Sequence, residues 1–219
     1  MKPPLVTESP RYIVIEGPIG VGKTTLVNRM AQRFQANTVL EIFEENPFLA
    51  KFYEDKQAYA FQTEMFFLLS RYRQQEGFSQ TDLFHTLSVS DYLFVKCRLF
   101  ASLTLSDHEL TLYDRMYSIL TSQIPQPDVV VHLTAPLETL MSRIARRGRS
   151  YEQNMDPEYI ERLRRLYNNF FSHYTEAPLI EVDTEDIDFS QDEQAIDDLM
   201  DQIVERHRQA VTPVAAVEF

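Results

Sequence analysis

Residues 17–25 read GPIGVGKTT, which matches the spacing G-x-x-x-x-G-K-[ST]. Gly17, Gly20 and Gly22 let backbone N–H groups turn inward around an anion, a path that side chains would obstruct. Pro18, Ile19 and Val21 fill the positions between them, and Thr25 closes the stretch. Lys23 has the reach to place an ammonium on the β- and γ-oxygens of a triphosphate. Thr24 supplies a hydroxyl suited to Mg²⁺ on the same phosphates. The pattern implies a bound nucleoside triphosphate and leaves the reaction open. A guanine-reading GTPase would carry an N-K-x-D element, and the chain has none.

A second group of cations lies downstream. Residues 143–149 read R-x-x-R-R-G-R, and Gly148 breaks the helical pattern. Arg143, Arg146, Arg147 and Arg149 therefore span a helix end and a loop. That placement suits a lid, about residues 143–155, which brings guanidinium groups to phosphate oxygens as charge develops. Arg162, Arg164 and Arg165 extend the cluster; the alternative for all of them is a solvated helix face with ion pairs one turn apart.

The acceptor of such a phosphoryl group is expected between Thr38 and Ser70. This segment carries six acids, Glu41, Glu44, Glu45, Glu54, Asp55 and Glu64, against Lys51 and Lys56. A monophosphate acceptor would need several cations, so the balance favours an uncharged one such as a sugar hydroxyl. Arg71 and Arg73 nearby weaken that argument. Glu41 is the candidate general base, placed where ligands of open α/β sheets bind. Gln62 carries an amide able to read a base edge, and Phe61, Phe66 and Phe67 either sandwich a base or belong to the core. Asp91 ends a strand, where an acid of the Walker-B type holds Mg²⁺; its alternative is a helix N-cap.

The elements that must position these residues follow from apolar patterning. Strands are expected at 11–16, 38–43, 86–91, 129–133 and 178–183. Helices are expected at 23–34, 48–53, 58–75, 95–104, 107–122, 136–147, 157–173 and 192–208, with Gly77 as a C-cap. Apolar, non-alternating strands separated by helices argue an α/β fold: a five-stranded parallel sheet with helices on both faces. Residues 1–209 read as one domain, and 210–219 as a tail without pattern.

Composition narrows the partners. Among 219 residues, 33 acids against 21 bases give a formal net charge of −12, which argues against nucleic acid or an anionic membrane. The single Cys97 excludes an internal disulfide framework and a thiolate zinc site. No run of 18 apolar residues exists, and the start MKPPLVTESP lacks the apolar core of a secretory signal, so a cytoplasmic location is expected.

Together GPIGVGKTT, EENPFLAKFYED (44–55), YAFQTEMFFLLSRY (59–72), VSDYLF (89–94) and RRGRSYEQ (146–153) make the chain resemble the deoxynucleoside kinase family, in its bacterial deoxyadenosine/deoxyguanosine kinase branch. The resemblance implies a P-loop kinase fold and ATP-dependent 5′-phosphorylation of a deoxynucleoside, with a purine preferred. It implies that Glu41 takes the proton of the sugar 5′-OH, that Tyr53 and Glu152 bind the 3′-OH, and that Gln62 bonds the base. Arg143, Arg147 and Arg149 match the lid arginines; Asp91 matches the acid of the D/E-R-S element; Asp188 and Phe189 match the loop that packs on the ATP adenine. Leu69 and Cys97 fall near positions that tune base choice. A homodimer is implied, with helices 95–104 and 157–173 as candidates. Two departures stand out: Ile42 follows Glu41 where many members have proline, and Tyr92 stands where the D/E-R-S arginine pairs with the catalytic carboxylate. Arg71, Arg98 or the Tyr92 hydroxyl must then take over. A thymidylate-type monophosphate kinase and a non-catalytic ATP-binding regulator are the alternative functions.

Overall fold

All five side chains of β1 (Tyr12–Glu16) are buried, as expected of a strand covered on both faces. It is the middle strand of a five-stranded sheet in the order β2-β3-β1-β4-β5, in which every pairing is parallel. β2 is Asn37–Val39, β3 Ser88–Ser90, β4 Val129–Thr134 and β5 Leu179–Asp183. The computed structural model describes residues 9–81 and 87–212; 213–219 of the expected tail lie outside them.

Alternation along β1 divides the core. Ile13 and Ile15 face one layer, which contains Leu26 and Met30 of α1 (Lys23–Phe34), Leu140 and Ile144 of α6 (Leu137–Arg147) and Leu199 of α8 (Glu193–Val211). Tyr12 and Val14 face the other, with Leu99 of α4 (Lys96–Thr104) and Leu163, Tyr167 and Phe171 of α7 (Pro157–Phe171). α2 (Leu49–Glu54), α3 (Lys56–Thr81) and α5 (Asp107–Thr121) complete the helices. Helices 95–104 and 157–173, the expected dimer elements, thus pack on each other within one chain. The exposed apolar stripe is on α5, at Leu112, Met116 and Ile119.

Two elements differ from expectation. α3 runs through Gly77 to Thr81, so Gly77 does not cap it. β2 stops at Val39, because the next backbone donors leave the sheet: the Asp91 carboxylate accepts from the Glu41 N–H at 2.8 Å. Glu41 is thereby delivered beyond the carboxyl edge of the sheet.

Two of the glycines after β1, Gly17 and Gly20, are forced by space as well as conformation, whereas Gly22 has open space and is set by its positive φ alone. At Gly20, φ is +88°, and a Cβ would lie 2.8 Å from the Leu140 carbonyl oxygen and 2.9 Å from Ile144 Cγ1. At Gly17 a Cβ would approach the Leu133 carbonyl oxygen to 2.4 Å. Gly20→Ala is expected to lower stability by about 2–4 kcal/mol, from left-handed backbone strain and overpacking against α6. Urea unfolding of the variant measures this directly.

Candidate active site

A cleft of about 960 Å³ opens at the carboxyl ends of the strands, at the point where the sheet order switches direction around β1. One end is lined by residues 19–25, the other by Glu41, Tyr53, Glu64 and Arg71, and Arg143, Arg146, Arg147 and Arg149 line it from the end of α6 and the loop after it.

At the phosphate end, positive φ at Gly17, Gly20 and Gly22 bends the loop between β1 and α1 into a cradle at the N-terminus of α1. Lys23 Nζ donates to the carbonyls of Gly17 (2.6 Å) and Pro18 (2.9 Å). Burial lowers the Lys23 pKa to about 8; Lys96 adds to the fall, while Glu16, Asp91 and Glu41 oppose it. A cation of lowered pKa binds an anion less well as pH rises through that value. kcat/KM for a nucleoside triphosphate, which reports the free enzyme, should therefore decline above about pH 8. A pH profile at limiting triphosphate checks the sign.

A hydrogen-bonded path connects the two ends. Thr24 Oγ1 donates to Asp91 Oδ2 at 2.7 Å, and Asp91 Oδ1 accepts from the Glu41 N–H. Asp91 is buried at the end of β3 with both oxygens used, so its carboxylate fixes where Glu41 stands. Thr24 and Asp91 are a hydroxyl and a carboxylate brought into contact beside the phosphate cradle. These are hard oxygen donors of the kind Mg²⁺ takes with phosphate oxygens.

The Glu41 side chain is gripped by two cations. Arg71 of α3 pairs with Oε1 through Nη2, and its Nε lies 3.1 Å from the same oxygen. Lys96 Nζ lies 2.6 Å from Oε2. Burial alone would raise the Glu41 pKa, but Arg71 and then Lys96 hold the carboxyl well below the usual range. Of the candidates expected to pair with Glu41, it is Arg71 that does so, joined by Lys96, which the sequence does not single out. Arg98 is engaged with Asp114, and the Tyr92 hydroxyl donates to Gln74.

The segment that follows α6 is tied to the wall of the cleft. Arg147 reaches both oxygens of buried Glu152, with Nη2 2.7 Å from each and Nε 3.1 Å from Oε2. Arg149 lies 3.6 Å from Glu152, with its guanidinium 3.7 Å from the centre of the Phe43 ring. Tyr53 stacks on Tyr151 at 5.8 Å. Arg143, on the cleft wall, donates to the Thr184 and Ile187 carbonyls and the Thr184 hydroxyl, tying α6 to the 184–189 loop. In that loop Asp188 bonds Ser190 and Phe189 is buried, and both line the cleft. Arg146 is exposed on the cleft wall and makes no ion pair among the described residues. Arg164 and Arg165 pair with Glu161 along α7, so that part of the cluster is an ion-paired helix face.

The structure does not bring Gln62, Phe66 and Leu69 to the cleft. Gln62 and Leu69 are exposed, and Phe66 and Leu69 line a separate surface groove with Ile42 and Arg73. The inward face of α3 consists of Thr63, Glu64, Phe67 and Arg71. Cys97 is fully buried behind the cleft, where it accepts from Arg71 Nη1 at 3.2 Å.

Comparisons with known proteins bear on the family and the fold. The chain is 40% identical over 171 residues to a deoxyguanosine kinase of Bacillus subtilis (strain 168), a match covering 76% of this chain and 81% of that protein. It is 31% identical over 200 residues to a deoxyadenosine/deoxycytidine kinase of the same organism, covering 87% and 90%. A solved deoxyadenosine kinase from M. mycoides, with products dCMP and a flexible dCDP bound, superposes with a TM-score of 0.78 at 23% identity, over 89% of this chain and 99% of that one; the fold is therefore that of a P-loop kinase. The model of the family described as deoxynucleoside kinase matches residues 13–208, and the chain belongs to that family.

Proposed function

We propose that the protein transfers the γ-phosphoryl group of ATP to the 5′-hydroxyl of a purine deoxynucleoside. The observation that carries this reading is the path Thr24–Asp91–Glu41, which ties the phosphate cradle to a carboxylate at the other end of the cleft. Arg71 and Lys96 are paired with Glu41, and Arg147 with Glu152. Each of those cations is already held by a carboxylate, so a monophosphate acceptor at that end would have to displace an existing ion pair. The kinase names of the relatives support ATP as donor and a purine as base.

In this reading Glu41 orients the 5′-OH and accepts its proton. Because its pKa is held low, it is a weak base, and the proton moves once transfer is under way through a loose transition state. Tyr53 and Glu152 hold the sugar, and the 184–189 loop, with Asp188 and Phe189, flanks the donor base. Lys23 and the lid, through Arg146 together with Arg147 and Arg149, oppose the charge of the transferring group. Thr24 and Asp91 would hold Mg²⁺, which when bound to the phosphates neutralises part of that charge. A cytoplasmic homodimer completes the reading; the exposed stripe on α5 supports contact between two copies. Calorimetry tests the acceptor end: deoxyadenosine or deoxyguanosine is expected to bind, and binding of dTMP alone would favour the monophosphate kinase instead.

A further inference from the structure

Glu64 is a buried carboxylate that makes no ion pair among the described residues; Arg71 and Lys96, both bound to Glu41, act on it only at longer range. It lies in the middle of α3, is 3% exposed, and lines the acceptor end of the cleft. Its Oε1 is 3.0 Å from the Thr104 hydroxyl of α4. Among the described residues this is its only hydrogen bond, and no cation pairs with it, since Arg71 and Lys96 are taken by Glu41. Its second oxygen, Oε2, has no hydrogen-bond partner among the described residues, so it is free to accept from a ligand in the cleft that Glu64 lines. Phe67, one turn further along the same face, has the Arg71 guanidinium 4.8 Å from its ring centre, so a flat polar and aromatic wall adjoins Glu64.

The edges of the four bases differ in what they offer a carboxylate. Adenine presents a donor at N6 beside an acceptor at N1, and cytosine the same alternation. Thymine presents one N–H between two carbonyls. Guanine alone places two donors side by side, N1–H and the 2-amino group, matching two carboxylate oxygens that only accept. Hydrogen bonds to an ionised acceptor are the stronger kind.

We propose that Glu64 reads the base: it accepts from N1–H and the 2-amino group of guanine and makes deoxyguanosine the preferred acceptor. This rests on the reading of the cleft as a deoxynucleoside kinase site. It replaces Gln62, which lies outside the cleft, as the base-reading side chain.

Protonation of Glu64 supports the assignment. Burial pushes its pKa up to about 7, and Arg71 and the Thr104 hydroxyl oppose the rise. The charged and titratable groups around it are Arg71 on α3, Glu41 after β2, Lys96 and Cys97 on α4, Tyr113 on α5 and Tyr159 on α7. The ionised form offers two acceptors and fits guanine. The protonated form offers one donor and one acceptor and fits adenine.

The test compares kcat/KM for deoxyguanosine, deoxyadenosine and deoxyinosine, which is the guanine nucleoside without its 2-amino group. For the unaltered protein, deoxyinosine should be at least tenfold worse than deoxyguanosine, and the deoxyguanosine-to-deoxyadenosine ratio should climb as pH passes through about 7. Glu64→Gln should lower that ratio at least tenfold and flatten its pH dependence. Gln62→Ala should leave the ratio unchanged. Equal use of deoxyinosine and deoxyguanosine, or a tenfold change in Gln62→Ala, overturns the proposal, as does an unchanged ratio in a folded Glu64→Gln variant. If that variant does not fold, the deoxyinosine comparison decides alone. Should the unaltered protein phosphorylate no deoxynucleoside at all, the parent reading fails rather than this one.

Discussion

Replacing Glu41 by glutamine should cut kcat by about 10²-fold or more, the range seen when a positioned proton acceptor is removed. Glutamine is nearly the same size, so the 5′-OH would still find an oxygen there. What disappears is the charge that accepts the proton and holds Arg71 and Lys96. Those cations are 3% and 6% exposed at their side chains. Leaving them without a counter-charge should cost about 3–5 kcal/mol of stability. Because the Glu41 pKa is depressed by folding, its stabilisation is complete above the ordinary value of 4.5 and fades as pH falls below it. Glu41→Gln should therefore narrow the stability gap to the parent at low pH. It should not remove an acid limb from the neutral pH–rate profile, since Glu41 stays ionised there. Steady-state kinetics and urea melts at two pH values separate these effects. A near-normal kcat would take Glu41 out of the reaction.

Lys23→Met should lower kcat/KM for ATP by about 10²–10³-fold, as does loss of one preorganised donor at a site of developing charge. The direction of the stability change is opposite to that for Glu41. Among the described residues Lys23 bonds only to backbone carbonyls of its own loop, and burial already disfavours its charge. Methionine keeps the volume and removes the charge, so stability should hold or rise slightly. Activity lost without stability lost marks Lys23 as a ligand-directed cation. An unchanged KM for ATP with kcat within about twofold would be incompatible with triphosphate binding at this cradle.

The phosphate loop was legible in the sequence because its chemistry is local: glycines, lysine and threonine within nine residues dictate cradle, cation and hydroxyl together. The parallel sheet was legible because strands buried on both faces are apolar without alternation. The acceptor end was legible only in part, because it is built from residues far apart in the chain. Glu41 meets Arg71 and Lys96 across separations of 30 and 55 residues, and Lys96 carries no local mark of that partner. Tyr92 in place of an arginine was a usable signal that the carboxylate needed another cation, and Arg71 answered it. Helix phase explains the base-reading residue. Two positions along a helix rotate a side chain by about 200°, so Gln62 and Glu64 cannot both face one cleft. The motif FQTEMFF holds both, and only the packing of Thr63, Phe67 and Leu68 inward decides between them. The arginine cluster, in turn, divided by element: α6 and its loop line the cleft, while α7 pairs Arg164 and Arg165 with Glu161.

The central claim is phosphoryl transfer from ATP to a nucleoside hydroxyl. Incubation of the protein with γ-labelled ATP, Mg²⁺ and each deoxynucleoside, with deoxynucleoside monophosphates in parallel, tests it most directly. The account predicts label at the 5′ position of deoxyguanosine and deoxyadenosine, fastest for deoxyguanosine, and none on the monophosphates. Label appearing only on a monophosphate such as dTMP, or no transfer to any acceptor while ATP still binds, would contradict it.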